Sequence, residues 1–394
     1  MFNTATIEFI RENGDKEVAW LALHPPKNPE IDLQAALQQI EGRQKAKLKL
    51  PELYANKDVV YPKRVSMEQC SSSVTASYKA SLFSGESFAD LSGGFGVDTI
   101  FLSKKFNKGL YVEPDSELCN IFEHNCKYLG INNIEIQNAN LEISVERLGF
   151  CDMIYVDPSR RDTNGNRVVQ LPDLSPNILD YKDILLSKCR TLAVKLSPML
   201  SIVELARDLP EMTELHIVSV DNECKEILCV LSSEKQIDDV KIITKNVKGN
   251  IVETFSQWMS LEKVLTPKIA KDVGNWLYEP NAAVMKSGLF NTVSDMFCIG
   301  KLASNTNLYT SDEPVAGFPG RMFKVLEVIP YQPKKLRGRL MTIETASISV
   351  RNFPISAEEL RKTLKIKDGN GCFIFGTTLS NGQKVIMVCS KAKF

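Results

Sequence analysis

The sequence predicts an α/β protein built on a doubly wound, mostly parallel sheet, with a helical N-terminal region before it and two small α+β units after it. Three observations lead there. Phe88 and Ala89 form a short apolar run that meets Asp90, Leu91 and a glycine turn, Ser92-Gly93-Gly94-Phe95-Gly96. Val97 to Lys105 then carry helical periodicity, so the chain reads strand, tight turn, helix. Further apolar runs at 109–113, 132–137, 152–157 and 191–196 are separated by helical or helix-length segments such as 115–129, and are continuous instead of alternating, as in strands covered on both faces. Last, the runs Leu215–Val220 and Glu226–Leu231 have only Asp221 to Lys225 between them, a hairpin-length link that would close the far edge with an antiparallel pair.

The length of 394 residues is enough for two to four domains and a large core. Lys plus Arg and Asp plus Glu both number 48, which removes any global polyanion-binding signature. The distribution is uneven, however: Arg321 to Phe394 hold fourteen basic and five acidic residues, leaving thirty-four against forty-three before them. Ten cysteines without a C-x-x-C pair, and three histidines, argue against a metal site or a disulfide framework and for a reduced, cytoplasmic chain. Glu8, Arg11 and Glu12 interrupt the first apolar pattern, and no apolar run approaches about 18 residues, so neither a signal peptide nor a membrane span is expected.

Residues 1–60 read as helices, with Ile7, Phe9 and Ile10, then Val18 to Leu23, then Leu33, Ala36, Leu37 and Ile40 at helical spacing, and a break at Pro25-Pro26. The basic run Arg43, Lys45, Lys47 and Lys49 reads first as a solvated helix end favoured by the macrodipole and second as a nucleic-acid contact. Ser71, Ser72 and Ser73 are N-cap material ahead of the next apolar stretch, or donors to a ligand carboxylate.

The glycine turn carries the cofactor argument. Glu113 ends the second strand, where a carboxylate can accept from both hydroxyls of a ribose. A dinucleotide fingerprint needs a third glycine where Thr99 stands, and Asp90 would repel a pyrophosphate. Asp90 could instead neutralise, directly or through water, the ammonium of a methionine moiety, which points to S-adenosylmethionine. The pattern resembles the acidic-x-G-x-G-x-G motif of class I methyltransferases, with Ser92 in place of the first glycine and Gly94 and Gly96 retained. Asn140, after the third strand, stands where such enzymes place a residue against the adenine, and its side-chain oxygen can accept from the adenine amine.

The chemistry is expected at Met153-Ile154-Tyr155-Val156-Asp157-Pro158-Ser159-Arg160-Arg161. An aspartate, a proline that fixes the backbone and two arginines at the end of a central strand bring a carboxylate, free carbonyls and positive charge to one place. The loop resembles the D-P-P-R and D-P-P-Y loops of RNA and DNA methyltransferases, which implies catalytic roles for Asp157, Pro158, Ser159 and Arg160 in holding an acceptor nitrogen or base edge. Ser159 replaces the second proline and Arg160 the stacking aromatic; a guanidinium can stack, or hold a phosphate or a guanine edge. Arg161 and Lys195 are candidates for substrate binding. No cysteine lies in the loops 157–159 or 195–198, and Cys151 and Cys189 read as core residues, so direct transfer to nitrogen or oxygen is favoured over attack by a thiolate.

Past residue 236 the sheet pattern is expected to stop. Strands are expected at 239–244 and 251–255, then a helix from Trp276 with Pro280 in its first turn, and a linker at Gly317 to Gly320. The last unit should hold strands at 323–329, 340–350, 372–378 and 385–389, a helix opened by Ser356 with Glu359 in capping-box spacing, and a turn at Asn381-Gly382. Lys334, Lys335, Arg337 and Arg339 are placed in the loop between its first two strands, as substrate-binding candidates.

Asp90 to Gly96, Glu113, Asp157 to Arg161, Lys195 to Pro198, Leu277 to Ala283 and Ser349 to Pro354 together resemble a bacterial family of class I methyltransferases with a Rossmann-like sheet. The resemblance runs over nearly the full length. It implies a helical region at 1–60, an S-adenosylmethionine-dependent methyltransferase domain at 61–235, a small ferredoxin-like α+β domain at 236–320 and a basic THUMP-like α+β domain at 321–394. Because THUMP modules accompany tRNA-modifying enzymes, it further implies a structured RNA, tRNA or rRNA, as partner, with neither metal nor membrane involved. A small-molecule methyltransferase, an RNA-binding protein with a vestigial cofactor pocket and a nicotinamide enzyme are the alternatives.

Overall fold

The structure is a computed structural model that describes residues 2–159, 170–234 and 238–392, without the side chains of residues 334, 335 and 337. It divides into two compact units, Met1–Thr213 with Leu228–Gln236, and Glu214–Ile227 with Ile237–Phe394.

The first unit opens with helices Thr4–Asn13, Val18–Leu23 and Leu33–Lys49, broken at Pro25-Pro26 as their spacing predicts. Asn3 and Asp32 start the first and third by accepting from the N–H groups of Thr6 and Ala35. Helices Pro51–Ala55, Arg64–Gln69 and Ser73–Ser81 lead to the sheet. Its strands are β1 (Gly85–Asp90), β2 (Phe106–Val112), β3 (Ile134–Gln137), β4 (Cys151–Val156), β5 (Cys189–Leu196), β6 (Met212–Val220), β7 (Glu223–Leu231), β8 (Lys241–Lys248) and β9 (Ile251–Trp258). They lie in the order 3-2-1-4-5-7-6-8-9. β1 to β5 pair in parallel, with Asp90 opposite both Tyr111 and Tyr155, Val112 opposite Gln137, and Val156 opposite Val194. Their carboxyl ends therefore share one edge.

The core of this unit packs Phe88, Phe95, Ile100, Phe101, Tyr111 and Phe122 from the strands, the glycine turn and the following helices, together with Tyr61 from the segment before the helix Arg64–Gln69 and Met67 from that helix. At about 1.5–3 kcal/mol per fully buried large apolar side chain, this cluster is what fixes the strand ends in place. The β6–β7 link is tighter than expected: Asp221 and Asn222 alone make the turn, both at positive φ (52° and 63°). Short polar side chains tolerate that conformation, and a two-residue turn of this hand matches the twist of the strands.

In the second unit the sheet does not stop at residue 236. β8 pairs in parallel with β6 along Glu214 to Val220, and β9 returns antiparallel to β8. The connection from β7 to β8 is long enough for the chain to return beside β6, which the composition of 232–240 does not reveal. A second sheet contains β10 (Trp276–Pro280), β11 (Gly300–Ala303), β12 (Thr306–Ser311), β13 (Gly320–Pro330), β14 (Ser347–Arg351), β15 (Phe373–Thr378) and β16 (Lys384–Lys391), in the order 11-12-10-13-16-15-14.

Several expectations need correction here. Trp276 to Pro280 is a strand, and the helix begins only at Ala282 under an Asn281 cap, because the proline sits at the strand's last pair, opposite Gly320. Gly317 to Gly320 is no free linker: Phe318 is buried, with ring centroids 5.1 Å from Tyr278 and 5.5 Å from Phe297, and Gly320 already belongs to β13. The segment with Lys334, Lys335, Arg337 and Arg339 is a helix, Pro333–Arg339, instead of a loop. Proline is tolerated in its first turn and Leu336 and Leu340, four residues apart, are buried together. The strand expected from 340 shortens accordingly to β14. The helix Ala357–Leu364 forms with its Ser356/Glu359 capping box complete, and Gly382 turns at φ 82°.

Candidate functional site

The turn after β1 rests on aromatic rings. Tyr111 of β2 and Phe122 of the helix Ser116–Leu129 stack with centroids 4.0 Å apart and planes 9° apart. A Cβ on Gly93 would lie 2.2 Å from the Tyr111 ring, and one on Gly96, at φ 82°, would lie 2.1 Å from the Phe122 ring. Gly94 differs: its φ of 54° demands glycine, but a Cβ would meet nothing closer than 3.8 Å. The turn is also tied by backbone bonds, with the Leu91 N–H donating to Tyr155 (3.0 Å) and the Gly93 N–H to Val112 (2.9 Å), while the Tyr111 hydroxyl donates to the Gly94 carbonyl (2.6 Å).

Within this frame the sequence-predicted cofactor residues come together. Glu113 accepts from the Gly94 N–H (2.8 Å) and, on its other oxygen, from the Asp115 N–H (2.9 Å). Burial raises its carboxyl above the usual value. Asp90 is buried and accepts from the Thr99 hydroxyl (2.6 Å) and from the N–H and hydroxyl of Ser92 (3.0 and 3.2 Å). The carboxylate ties the turn together, and burial pushes its pKa up to about 7. Asn140 caps the helix Leu141–Arg147, its side-chain oxygen accepting from the Ile143 N–H (3.1 Å), so one lone pair of the oxygen expected at the adenine is already in use.

The loop after β4 joins this turn. The Asp157 N–H donates to the Ser92 hydroxyl (2.6 Å), and the Asp157 carboxylate forms an ion pair with Lys195 of β5. Lys195 thus sits beside the acid expected to hold the acceptor. Pro158 is buried, and Ser159 is fixed by a two-way backbone bridge to Ser175 (2.7 and 3.1 Å). Arg160 and Arg161 lie outside the described residues.

Residues that sequence reasoning missed connect to the same place. Asp98, two residues past the turn, accepts from Ser71 (2.7 Å) and the Tyr155 hydroxyl (2.9 Å), and pairs with buried Lys79 at 3.1 Å. Lys79 also donates to Ser71 (2.8 Å). The positive charges of Lys79 and Lys195 hold the Asp98 carboxyl below its usual range against its burial. Tyr155, at the end of β4, is two residues before Asp157, and Lys79 is four residues after buried Thr75 on one helix face; those spacings were the available signals. Ser72 caps the helix Ser73–Ser81, as the N-cap reading expects, and Ser73 bonds Glu52.

Cys151 and Cys189 face each other at the amino ends of β4 and β5, roughly 20 Å from Asp157 at about 3.3 Å per strand residue. Burial pushes their thiols up to about 11 and about 12. Cys70 lies close enough to Asp98 and Lys195 to feel their charges, yet burial raises its thiol too. Among the described residues no His, Cys, Asp or Glu cluster is arranged to hold a metal ion, and no helix is long and apolar enough to cross a membrane. In the second unit, Arg339 pairs with Glu327 at 3.0 Å; the side chains of Lys334, Lys335 and Arg337 lie outside the described residues.

A family model described as THUMP domain-like matches residues 320–391, and a ferredoxin-like domain model matches residues 276–319. No protein of curated function matches the chain. Among solved structures, it is similar to a Porphyromonas gingivalis W83 protein described provisionally as a methyltransferase, at 31% identity and a TM-score of 0.90, covering 100% of both chains. It is also similar, over 40% of its length, to 93% of an rRNA methylase from Streptococcus thermophilus at 14% identity and a TM-score of 0.30. A third likeness covers 40% of the chain and 95% of a Streptococcus mutans protein provisionally described as a methyltransferase and solved with SAH, at 11% identity and a TM-score of 0.31. The last two likenesses bear on neither cofactor nor substrate. The full-length one does bear on kinship: the chain belongs to the bacterial class I methyltransferase family that carries a ferredoxin-like domain followed by a C-terminal THUMP-like domain.

Proposed function

We propose that this chain transfers a methyl group from S-adenosylmethionine directly to a nitrogen or oxygen of a structured RNA, tRNA or rRNA. The observation that carries the reading is the bond from the Asp157 N–H to the Ser92 hydroxyl, which puts the acid-proline loop against the glycine turn. The residues fit the cofactor. Each Glu113 oxygen accepts one backbone N–H and keeps a lone pair for a ribose hydroxyl, and Gly94 offers no side chain in the way. Asn140, capping the helix that follows β3, retains its side-chain NH2 for the adenine edge.

S-adenosylmethionine, when bound, supplies a methyl group already activated by its sulfonium. The protein then has mainly to align an acceptor, which is where Asp157 acts: its carboxylate, oriented by Lys195, accepts from the acceptor's N–H or O–H and can take the proton. The Pro158 carbonyl is a second acceptor for the substrate's N–H or O–H, and Arg160 and Arg161 supply positive charge for the RNA. The thiols most exposed to comparison, Cys151 and Cys189, are protonated at neutral pH and at the wrong strand ends, which favours direct transfer. The THUMP-like match over a segment with a basic excess supports RNA over a small molecule.

The test is incubation with labelled S-adenosylmethionine and total RNA from a strain lacking the gene, followed by nucleoside analysis. Label should enter one modified nucleoside. Asp157→Ala should keep cofactor affinity and lose transfer by about a hundredfold or more, the lower range for general acid–base groups. Label found only in small molecules would replace RNA by a small-molecule acceptor, and unchanged turnover of Asp157→Ala would reduce the loop to a structural turn.

A further inference from the structure

The N-terminal helices enclose a groove of about 830 Å³ outside the site described above. It is lined by five basic side chains, those of Arg11, Lys16, Arg43, Lys47 and Lys57, against two acidic ones, Asp15 and Glu17. The excess is local, because the first 320 residues as a whole carry more acid than base. It is also unspent. Lys45 and Lys49, on the same helix, are taken up by Glu41 and Glu68 and by the carbonyls of Met67 and Glu68, and Arg11 is paired with Asp58 at 3.7 Å. Lys16, Lys47 and Lys57 are exposed and have no carboxylate partner among the described residues.

Aromatic rings accompany these cations. The Arg43 guanidinium lies 4.4 Å over the Tyr54 ring in the groove, which holds that charge in a fixed plane. Lys16, also on the lining, is 5.8 Å over Trp20, whose ring stacks on His24 at 4.3 Å and 16° and is 48% exposed. Several lysines on one groove suit the phosphates of a polyanion, and the half-exposed Trp20 ring beside Lys16 offers a base a stacking surface.

We infer that this groove binds the phosphate backbone of an RNA, as a contact additional to the C-terminal basic domain. The inference rests on the RNA reading of the function. Its test is salt-dependent binding of the full chain to bulk tRNA, with Lys16→Ser, Lys47→Ser and Lys57→Ser combined in one variant. Three lost phosphate contacts should flatten the slope of log affinity against log salt by about two units, at roughly 0.7–0.9 per contact. The urea midpoint and the affinity for S-adenosylmethionine should match the parent's, since the lysines are exposed and remote in sequence from the glycine turn. A parent that binds tRNA while the variant keeps its full slope overturns this inference and leaves the RNA reading standing. A parent that shows no salt-dependent binding of tRNA overturns both.

Discussion

Lys79 and Asp98 are the buried pair on which the edge of the site depends, with side chains 3% and 10% exposed. Removing Lys79 leaves Asp98 with Lys195 as its remaining cation, so Lys79→Met should lower stability by about 1–3 kcal/mol, the cost of a buried group that loses one partner. Adding Asp98→Asn should restore a large part of that loss, because the amide can still meet Ser71 and Tyr155. Urea unfolding of the two variants decides it, and equal stability of single and double variants would mean that the pair does not act as one. Asp90 makes a different demand. Its folded pKa is about 7, well above its usual 3.8, so the stability that it contributes is fully present below about pH 4 and is lost as pH rises through 7. Asp90→Asn avoids the buried charge; its stability relative to the parent should therefore rise between pH 4 and pH 8, with a pH-independent difference speaking against a raised carboxyl. Both residues show why the site was only partly legible. Asp90 and Asp157 stand beside motif glycines and prolines, where type and spacing are informative. Lys79 and Tyr155 looked like one polar residue in an amphipathic helix and one aromatic in a strand, and only the fold shows that Asp98 joins them.

Elements set by local chemistry were the readable ones. The Ser356/Glu359 capping box, the Pro25-Pro26 break and the Gly382 turn each depend on a few neighbouring residues, and each forms as the spacing predicts. Elements decided by distant partners were not. Trp276 to Pro280 becomes a strand because β12 and β13 flank it, and β8 continues the larger sheet because β6 offers an edge 27 residues back in sequence. The glycine turn combines both kinds of constraint, which makes it testable residue by residue. Gly94→Ala meets open space and should lose only the cost of a left-handed backbone, about 1–2 kcal/mol. Gly96→Ala adds a clash with the Phe122 ring, which the Tyr111 stack prevents from moving, and should cost about 1–3 kcal/mol more. Thermal or urea unfolding that ranks the two equally would show that the ring stack yields.

At the scale of the whole molecule, the segments matched by the ferredoxin-like and THUMP-like models share one sheet, and beside the later segment's own cluster around Leu336, Leu360 and Ile386 a second one spans both. β13 pairs along Gly320 to Lys324 with β10 and along Phe323 to Pro330 with β16, so a single strand serves both segments. Leu277, Leu302 and Leu308 from one side pack with Phe323, Phe375, Val385 and Met387 from the other in one apolar cluster. Buried Glu279 of β10 is held by Arg321 and, at 3.0 Å, by Arg351, both from the later segment. A fragment cut at Arg321 would therefore uncover at least four large side chains, at about 1.5–3 kcal/mol each, and leave two arginines without their carboxylate. That loss, about 6–12 kcal/mol, is comparable to the whole stability of an ordinary domain, about 5–15 kcal/mol. The fragment 321–394 should accordingly unfold without a cooperative transition and show poor dispersion of its amide resonances, whereas the fragment 266–394, which restores β10 to β12, should unfold cooperatively in urea. A sharp two-state transition from the shorter fragment would show that the THUMP-like segment has a sufficient core of its own, and that the strand it shares with its neighbour is a contact between two domains.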